Sequence, residues 1–144
     1  MRKTIQLRGI TWENPRGYDP LVEASKLYQA THPNIKIIWE QYPWYEFEQR
    51  ILNDFENQTG IYDLIMFDHP WTGTLSGNGW LLPWNDHLPT SYFEKLKQRV
   101  VSPSVESYHY DGNQWALPLD AASHCALHRG SQSETLLPKS WEEV

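Results

Sequence analysis

The chain contains 144 residues, of which 40% are hydrophobic, and it carries a formal net charge of −6. This length suits a single ordinary domain with a real core, since domains commonly contain about 100–150 residues. The acidic balance and the lack of a basic run argue against nucleic acid and an anionic membrane surface as partners, and favour a neutral one. No stretch approaches the roughly 18 apolar residues of a membrane-spanning helix, so membrane insertion is not expected.

The first half of the chain predicts strands that alternate with helices. Apolar, β-branched runs mark the strands, and apolar residues spaced three or four positions apart mark the helices. Asp19 and Pro20 provide an N-cap and a first turn for the first helix. The predicted order is a strand over 4–12, a helix over 20–31, a strand over 35–39, a helix over 45–57 and a strand over 62–67. Crossovers long enough for helices predict a parallel sheet.

Acidic, imidazole and aromatic side chains follow the third predicted strand at once. Residues 64–67 form a continuous apolar run, which is typical of a strand covered on both faces. Pro70 ends the strand, so Asp68, His69 and Trp71 are expected just beyond its carboxyl end. Ligands bind at that end of the strands in open α/β sheets.

The second half of the chain predicts a helix and a hairpin. The glycine-rich residues 72–79 leave a short helix open, and a clearer helix begins at Ser91, whose side chain and that of Glu94 have the spacing of a capping box. Residues 107–117 predict a β-hairpin, because the dipeptide Asp111-Gly112 suits a type I′ turn.

A second capping-box spacing, from Ser140 to Glu143, predicts a further helix at the end of the sequence. Because the sequence stops one turn into this helix, we expect the chain to be cut short, since a single turn does not overcome the cost of helix nucleation.

Three polar and aromatic loops are expected at one edge of the predicted sheet. They cover residues 13–19, 40–45 and 68–71, and each follows a strand. The carboxyl ends of parallel strands share an edge, so these loops converge by topology. Carboxylates and amides bind sugar hydroxyls, while the flat rings of Trp and Tyr pack on the apolar faces of a pyranose. The loops therefore predict a sugar-binding site that includes Glu40 and Trp44.

Two other functions remain open from the residues alone. Glu13 and Asp68 would serve as the acid and base of a glycosidase if their carboxyl groups lay about 5–10 Å apart. The chain would alternatively be a non-functional remnant of a longer gene, with a face meant for burial left exposed. Turnover of a glycoside would distinguish the enzyme from a binding protein.

No metal site or cofactor is predicted. His124 and His128 have the helical spacing of metal ligands, but they lack a carboxylate partner in register. Cys125 is the only cysteine, so no intrachain disulfide forms. Phosphate-binding glycine loops and nucleophile elbows are absent from the sequence.

A succession of short motifs resembles the front of the family 1 extracellular solute-binding proteins, the sugar receptors of ABC importers. The motifs are, in order, Ile10-Thr11-Trp12 with Arg16-Gly17-Tyr18, Tyr62-Asp63-Leu64-Ile65 with Asp68-His69-Pro70, Tyr110-Asp111-Gly112 with Trp115-Ala116-Leu117-Pro118, and Pro138 with Ser140-Trp141-Glu142-Glu143. The resemblance covers essentially the whole chain, in the order of the family.

The resemblance implies an α/β fold of the periplasmic-binding-protein type II, with a mostly parallel sheet flanked by helices, truncated at the start of a second lobe. Its N-terminal lobe would cover 1–116, a hinge crossing 117–124, and the beginning of the second lobe 125–144. The receptor would bind a sugar without chemistry, so no enzyme activity is expected, and it would work with ABC transporter permease subunits.

The resemblance also implies the ligand contacts and the location. Arg16 and residues 67–71 match ligand-contacting positions of the family, and Glu13, Asn14, Asp120 and Ala122 lie beside such positions. With the loop residues, the candidate ligand-binding set is Glu13, Asn14, Arg16, Glu40, Trp44, Phe67, Asp68, His69, Trp71 and Asp120. Family members are periplasmic or extracellular. The start of this sequence lacks the apolar stretch of a signal peptide, so the chain as written would stay in the cytoplasm.

Overall fold

The computed structural model describes residues 3–101, 103–121 and 140. The first half consists of β1 (Ile5–Trp12), α1 (Pro15–Thr31), β2 (Ile35–Tyr42), α2 (Trp44–Asn57) and β3 (Leu64–Ile65). The second half consists of α3 (Thr72–Gly77), α4 (Thr90–Lys97), β4 (His109–Tyr110) and β5 (Asn113–Gln114). Single 3-10 turns occur at His69–Trp71, Trp84–Asp86 and Glu106–Tyr108. None of the helices in these residues is long and apolar enough to cross a membrane.

The main sheet is parallel and has the strand order β2-β1-β3. Strand β1 pairs with β2 along its whole length, from Ile5 opposite Ile35 to Trp12 opposite Tyr42. It pairs with β3 at Gly9 and Ile10. The predicted α/β fold with a parallel sheet flanked by helices is therefore confirmed, and its first and second crossovers are helices α1 and α2.

The core lies between the sheet and helix α2. Ile10 of β1 is fully buried against Phe47 and Ile51 of α2. Around these three residues pack the partly buried side chains of Trp12, Tyr42, Phe55, Tyr62, Ile65 and Trp71. Burial of one such aliphatic or aromatic side chain contributes about 1.5–3 kcal/mol to folding.

Helix α1 covers the opposite face of the sheet. Successive residues of a strand point to opposite faces, so Gly9 lies on the face opposite Ile10. The indole of Trp39 crosses Gly9 and its Nε1 donates a hydrogen bond to the hydroxyl of Ser25 in α1, at 2.8 Å. Glycine at position 9 therefore makes room for the indole that connects the sheet to α1.

The predicted start of helix α1 is wrong. The helix begins at Pro15 rather than near Pro20, and residues 15–19 are helical rather than a loop. Asn14 caps it by accepting a hydrogen bond from the Arg16 backbone N–H at 3.2 Å. The pair Asn14-Pro15 has the same cap and first-turn chemistry as Asp19-Pro20, and it lies earlier, so Pro20 is left inside the helix.

The early start brings Gly17 of α1 against the exit of β3. Gly17 is buried, and a Cβ atom there would lie 2.6 Å from the sulfur of Met66 and 3.5 Å from Leu119 Cδ2. A side chain at position 17 would therefore displace the flexible end of Met66.

Strand β2 extends three residues beyond its predicted end at residue 39. Glu40 therefore lies inside β2, opposite Ile10, and not in a loop after it. Its carboxylate forms an ion pair with Arg8, whose Nε donates at 3.0 Å, and it accepts from the hydroxyl of Tyr42 at 2.8 Å. These partners, with the Tyr62 hydroxyl at 3.4 Å, allow a carboxylate to occupy a partly covered sheet face.

Asp54 near the end of α2 fixes the segment that enters β3. Its carboxylate is buried and accepts the backbone N–H groups of Ile61 and Tyr62 at 2.8 and 3.0 Å, as well as the hydroxyl of Thr59. Burial alone would raise its pKa, but these donors hold the pKa of Asp54 below its ordinary value. The paired strand β3 is shorter than the predicted 62–67, although the Met66 N–H still bonds to Ile10 O at 3.0 Å.

The second half confirms the hairpin and changes one helix start. Asp111 and Gly112 have φ values of 46° and 77°, as a type I′ turn requires. Helix α4 begins at Thr90 behind Pro89, so Ser91 lies within the helix and the predicted capping box is wrong. The glycine-rich stretch forms the short helix α3. The helix predicted from Ser140 lies outside the described residues, except for Ser140 itself.

A first prediction concerns the contact of Trp39 with Gly9. A Cβ atom at position 9 would lie 2.7 Å from Trp39 Cδ2, so Gly9→Ala is expected to lower the free energy of unfolding by about 1–3 kcal/mol. Urea denaturation followed by circular dichroism measures the change. Gly77→Ala is the matched control, because a Cβ atom there meets nothing within 4 Å. Equal stability of both variants would contradict the packing.

A second prediction concerns the pH dependence that Glu40 gives to stability. Partial burial would raise its pKa, but hydrogen bonds from Arg8, Tyr42 and Tyr62 hold the pKa below its ordinary value of 4.5. Because the pKa of Glu40 is lower in the folded state, its charge stabilises the fold fully above pH 4.5. This stabilisation is lost as the pH falls through the folded-state pKa. Glu40→Gln is expected to lower the free energy of unfolding by about 1 kcal/mol at neutral pH, after allowance for solvent screening.

The measurement is a series of urea denaturations of wild type and Glu40→Gln at decreasing pH. The difference in unfolding free energy is expected to narrow in acid, where the wild-type carboxylate becomes protonated. Glu56→Gln is the control, because Glu56 is exposed on α2, the helix that covers this face of the sheet. A difference that does not change with pH would show that the charge of Glu40 is not what stabilises the network.

Candidate functional site

A cleft of about 470 Å³ opens at the carboxyl edge of the main sheet. It is bounded by the end of β1, the start of α1, the exit of β3 and the segment 116–120 that follows the hairpin. Its lining residues are Trp12, Asn14, Arg16, Leu21, Trp39, Trp44, Ile65, Met66, Phe67, Asp68, Tyr108, Ala116, Leu117, Pro118, Leu119 and Asp120. Apolar and aromatic surface with a few polar groups is the usual composition of a small-molecule site.

One wall of the cleft is aromatic. The ring of Trp44 lies edge-on to that of Trp12, with centroids 5.1 Å apart, and 5.7 Å from that of Trp71. Phe47 packs behind, 6.3 Å from Trp71 in a stacked arrangement. We call Trp12, Trp44, Phe47 and Trp71 the aromatic cluster. The buried Phe47 and the partly buried Trp12 and Trp71 support Trp44, which is 43% exposed and lines the cleft.

The polar groups of the cleft come from three segments. Arg16, in the first turn of α1, faces Asp120 of the segment 116–120, with Nε and Oδ2 3.7 Å apart. Asp68 follows β3 and caps the turn after it, because its Oδ1 accepts the His69 backbone N–H at 2.9 Å. His69 Nδ1 lies 3.4 Å from the same carboxylate oxygen. These side chains are largely exposed, so they are available to a ligand's hydroxyl groups.

Tyr108 contributes a half-buried phenol that the sequence did not predict as a site residue. Its hydroxyl donates a hydrogen bond to the carbonyl of Phe67 at 3.3 Å, and the two rings are perpendicular with centroids 5.5 Å apart. Burial, followed by the charges of Asp68 and Asp120, raises the pKa of Tyr108 to about 12. The phenol therefore stays protonated, and remains a hydrogen-bond donor, at physiological pH.

The cleft brings together most of the predicted ligand-binding residues. Those that line it are Asn14, Arg16, Trp44, Phe67, Asp68 and Asp120. Trp71 lies behind Trp44 in the aromatic cluster, and His69 and Glu13 are exposed beside lining residues. Glu40 lies within the Arg8 network and does not line the cleft. Ala122 is outside the described residues.

Several lining residues were not predicted as site residues. Tyr108 and Phe67 are separated by 41 residues, and no pattern in the chain connects them. Leu21 and Trp39 lie inside the predicted helix and strand, and not in the loops after the strands, so they were not assigned to the site. Trp12 and Leu117 belong to the motifs that carry the family resemblance, and this was the available indication that they lie near the site.

The structure describes only some of the residues that the metal and glycosidase hypotheses name. Within residues 3–101, 103–121 and 140, no three His, Cys, Asp or Glu side chains are grouped as metal ligands. His124, Cys125 and His128 lie outside these residues. Of the carboxylates Glu13 and Asp68, which the glycosidase hypothesis pairs, only Asp68 lines the cleft.

Solved structures share this fold. A solute-binding protein of an ABC transporter from Agrobacterium radiobacter K84, in complex with ribitol, is 20% identical, with a TM-score of 0.67 over 81% of this chain and 29% of that one. The GacH receptor of Streptomyces glaucescens, solved unliganded and with acarbose, gives 15% identity and a TM-score of 0.64 over 81% and 29% of the two chains. The Thermus thermophilus maltotriose-binding protein, bound to maltotriose, is 22% identical, with a TM-score of 0.59 over 78% of this chain and 28% of that one.

This chain therefore spans less than a third of the length of these structures. No curated protein matches its sequence. The profile of the family described as bacterial extracellular solute-binding protein matches residues 11–123. That match covers more than half of the chain and includes every residue of the cleft. The chain belongs to the bacterial extracellular solute-binding protein family.

Proposed function

We propose that this chain is the ligand-binding part of a carbohydrate receptor, which binds a sugar or polyol without chemical change and delivers it to the permease subunits of an ABC transporter. Family membership supports the role of a solute-binding component. The ribitol, acarbose and maltotriose complexes of proteins with the same fold support a polyhydroxylated ligand. The role places the protein outside the cytoplasm, in the periplasm or at the cell exterior.

The single observation that carries this proposal is the combination of an aromatic wall and polar side chains in one cleft. The exposed ring of Trp44 offers a flat surface for the C–H faces of a sugar. Asn14, Arg16, Asp68 and Asp120 offer amide, guanidinium and carboxylate groups for its hydroxyls. A few polar groups that fix orientation within an apolar pocket are the usual basis of specificity.

The division of the chain also belongs to the proposal. Residues 1–116 would form the N-terminal lobe, 117–124 the first hinge crossing and 125–144 the beginning of the second lobe. The segment 116–120 supports this division, because it lines the cleft and faces α1 through Asp120 and Arg16. A ligand held between two lobes would then meet the hinge segment directly.

A third prediction tests the site. Isothermal titration of the chain with ribitol, maltotriose and mannotriose is expected to detect binding of at least one of them. Trp44→Ala is expected to weaken that binding by about 1–3 kcal/mol, the usual effect of removing an anchoring aromatic side chain. Tyr45→Ala is the matched control, because Tyr45 is the next residue, is 70% exposed and does not line the cleft.

Equal loss of affinity in the Trp44 and Tyr45 variants would place the ligand elsewhere on α2. Absence of binding to all three compounds, by a chain with cooperative unfolding, would overturn the proposed function.

A fourth prediction separates binding from hydrolysis. After prolonged incubation with the wild-type chain, maltotriose is expected to be recovered intact by chromatography. Asp68→Asn is expected to lower the affinity for the sugar while product remains absent. Release of glucose or maltose by the wild type, and its loss in the Asp68 variant, would instead make the chain a glycosidase with Asp68 as a catalytic residue.

A further inference from the structure

Tyr108 connects two segments that supply the carboxylates of the cleft. Its side chain contacts the exit of β3, through the hydrogen bond to the Phe67 carbonyl and the perpendicular packing of the two rings. Its backbone pairs across the hairpin, because the carbonyl of Tyr108 accepts the Trp115 N–H at 3.0 Å, one residue before the segment 116–120. The residue therefore joins the segment that carries Asp68 to the segment that carries Asp120.

The hairpin gives Tyr108 a fixed position. The buried side chain of Gln114 donates hydrogen bonds to the carbonyls of Val105 and Ala116, at 2.9 and 2.7 Å. The indole N–H of Trp115 donates to the carbonyl of Tyr110 at 2.8 Å. These bonds connect the two ends of the hairpin, next to the residue whose phenol contacts Phe67.

The exit of β3 has fewer bonds of its own. After the Met66 N–H bonds to Ile10, strand pairing ends and the chain turns at Asp68. Phe67 is buried, and among the described residues the hydroxyl of Tyr108 is the hydrogen-bond donor to its carbonyl. Burial, followed by the charges of Asp68 and Asp120, raises the pKa of this phenol, which lines the cleft together with both carboxylates. The residue before Asp68 is therefore held by a side chain 41 residues further along the chain.

We propose that Tyr108 is a positioning residue of the ligand site, whose hydroxyl, by holding the Phe67 carbonyl, sets the place of the Asp68 carboxylate in the cleft that Asp120 also lines. This inference rests on the proposed function for its effect on ligand, but its effect on the β3 exit is independent of any ligand. It assigns to the hairpin the role of supporting the binding site.

The first test measures the β3 exit directly. In a chain labelled with ¹³C and ¹⁵N, Tyr108→Phe is expected to shift the carbonyl carbon of Phe67 and the amide of Asp68, because the variant removes only the hydroxyl. Tyr92→Phe is the matched control, since Tyr92 is exposed on α4 and does not line the cleft. Unchanged Phe67 and Asp68 signals in Tyr108→Phe would overturn the inference whether or not a sugar binds.

The second test is a double-mutant cycle with maltotriose as the probe. Tyr108→Phe is expected to weaken binding about tenfold, which corresponds to about 1.4 kcal/mol. If the hydroxyl acts through Asp68, the double variant Tyr108→Phe with Asp68→Asn binds no more weakly than Asp68→Asn alone. The melting temperature of ligand-free Tyr108→Phe is expected to match that of Tyr92→Phe, which separates positioning from general destabilisation.

The outcomes distinguish this inference from the proposed function. Additive losses in the cycle, or undiminished affinity in Tyr108→Phe, would overturn the positioning role while leaving the sugar receptor intact. Failure of the wild type to bind maltotriose or the other compounds would overturn the receptor function, and the carbonyl shift of Phe67 would still decide the role of Tyr108.

Discussion

The structure depends on the position of β1 between two parallel partners, with Ile10 at its centre. Ile10 is fully buried against α2, and it pairs with Glu40 on one side and Ile65 on the other. Because all three strands run in the same direction, their carboxyl ends meet at one edge. The cleft lies at that edge for this reason, and its aromatic wall packs on Phe47, which belongs to the same core cluster as Ile10.

Local patterns were sufficient to predict the order and type of the first five elements. Apolar residues spaced three or four positions apart predicted the helix over 45–57, and three of them, Phe47, Ile51 and Phe55, pack toward the sheet in α2. The two-residue turn at Asp111 and Gly112 predicted the hairpin, because few sequences satisfy two successive positive φ angles. Such features are specified by residues close to one another in the chain.

The errors arose where two local signals competed or where a distant partner decided. Asn14-Pro15 and Asp19-Pro20 both have the cap and first-turn chemistry of a helix start. The helix begins at the first pair, and nothing local in the sequence decides between them. Glu40 read as the start of a loop because its partner Arg8 is 32 residues away. Tyr108 was missed for the same reason. Asn14 and Asp68 were predicted because they follow strands closely, whereas Tyr108 reaches the cleft only through a tertiary contact.

The buried Gly17 has a consequence for the shape of the cleft mouth. It follows Arg16 in the chain, and a methyl group there would meet the sulfur of Met66, which is the end of a flexible side chain that lines the cleft. A side chain at position 17 would therefore displace Met66 and reshape the wall of the cleft beside Arg16.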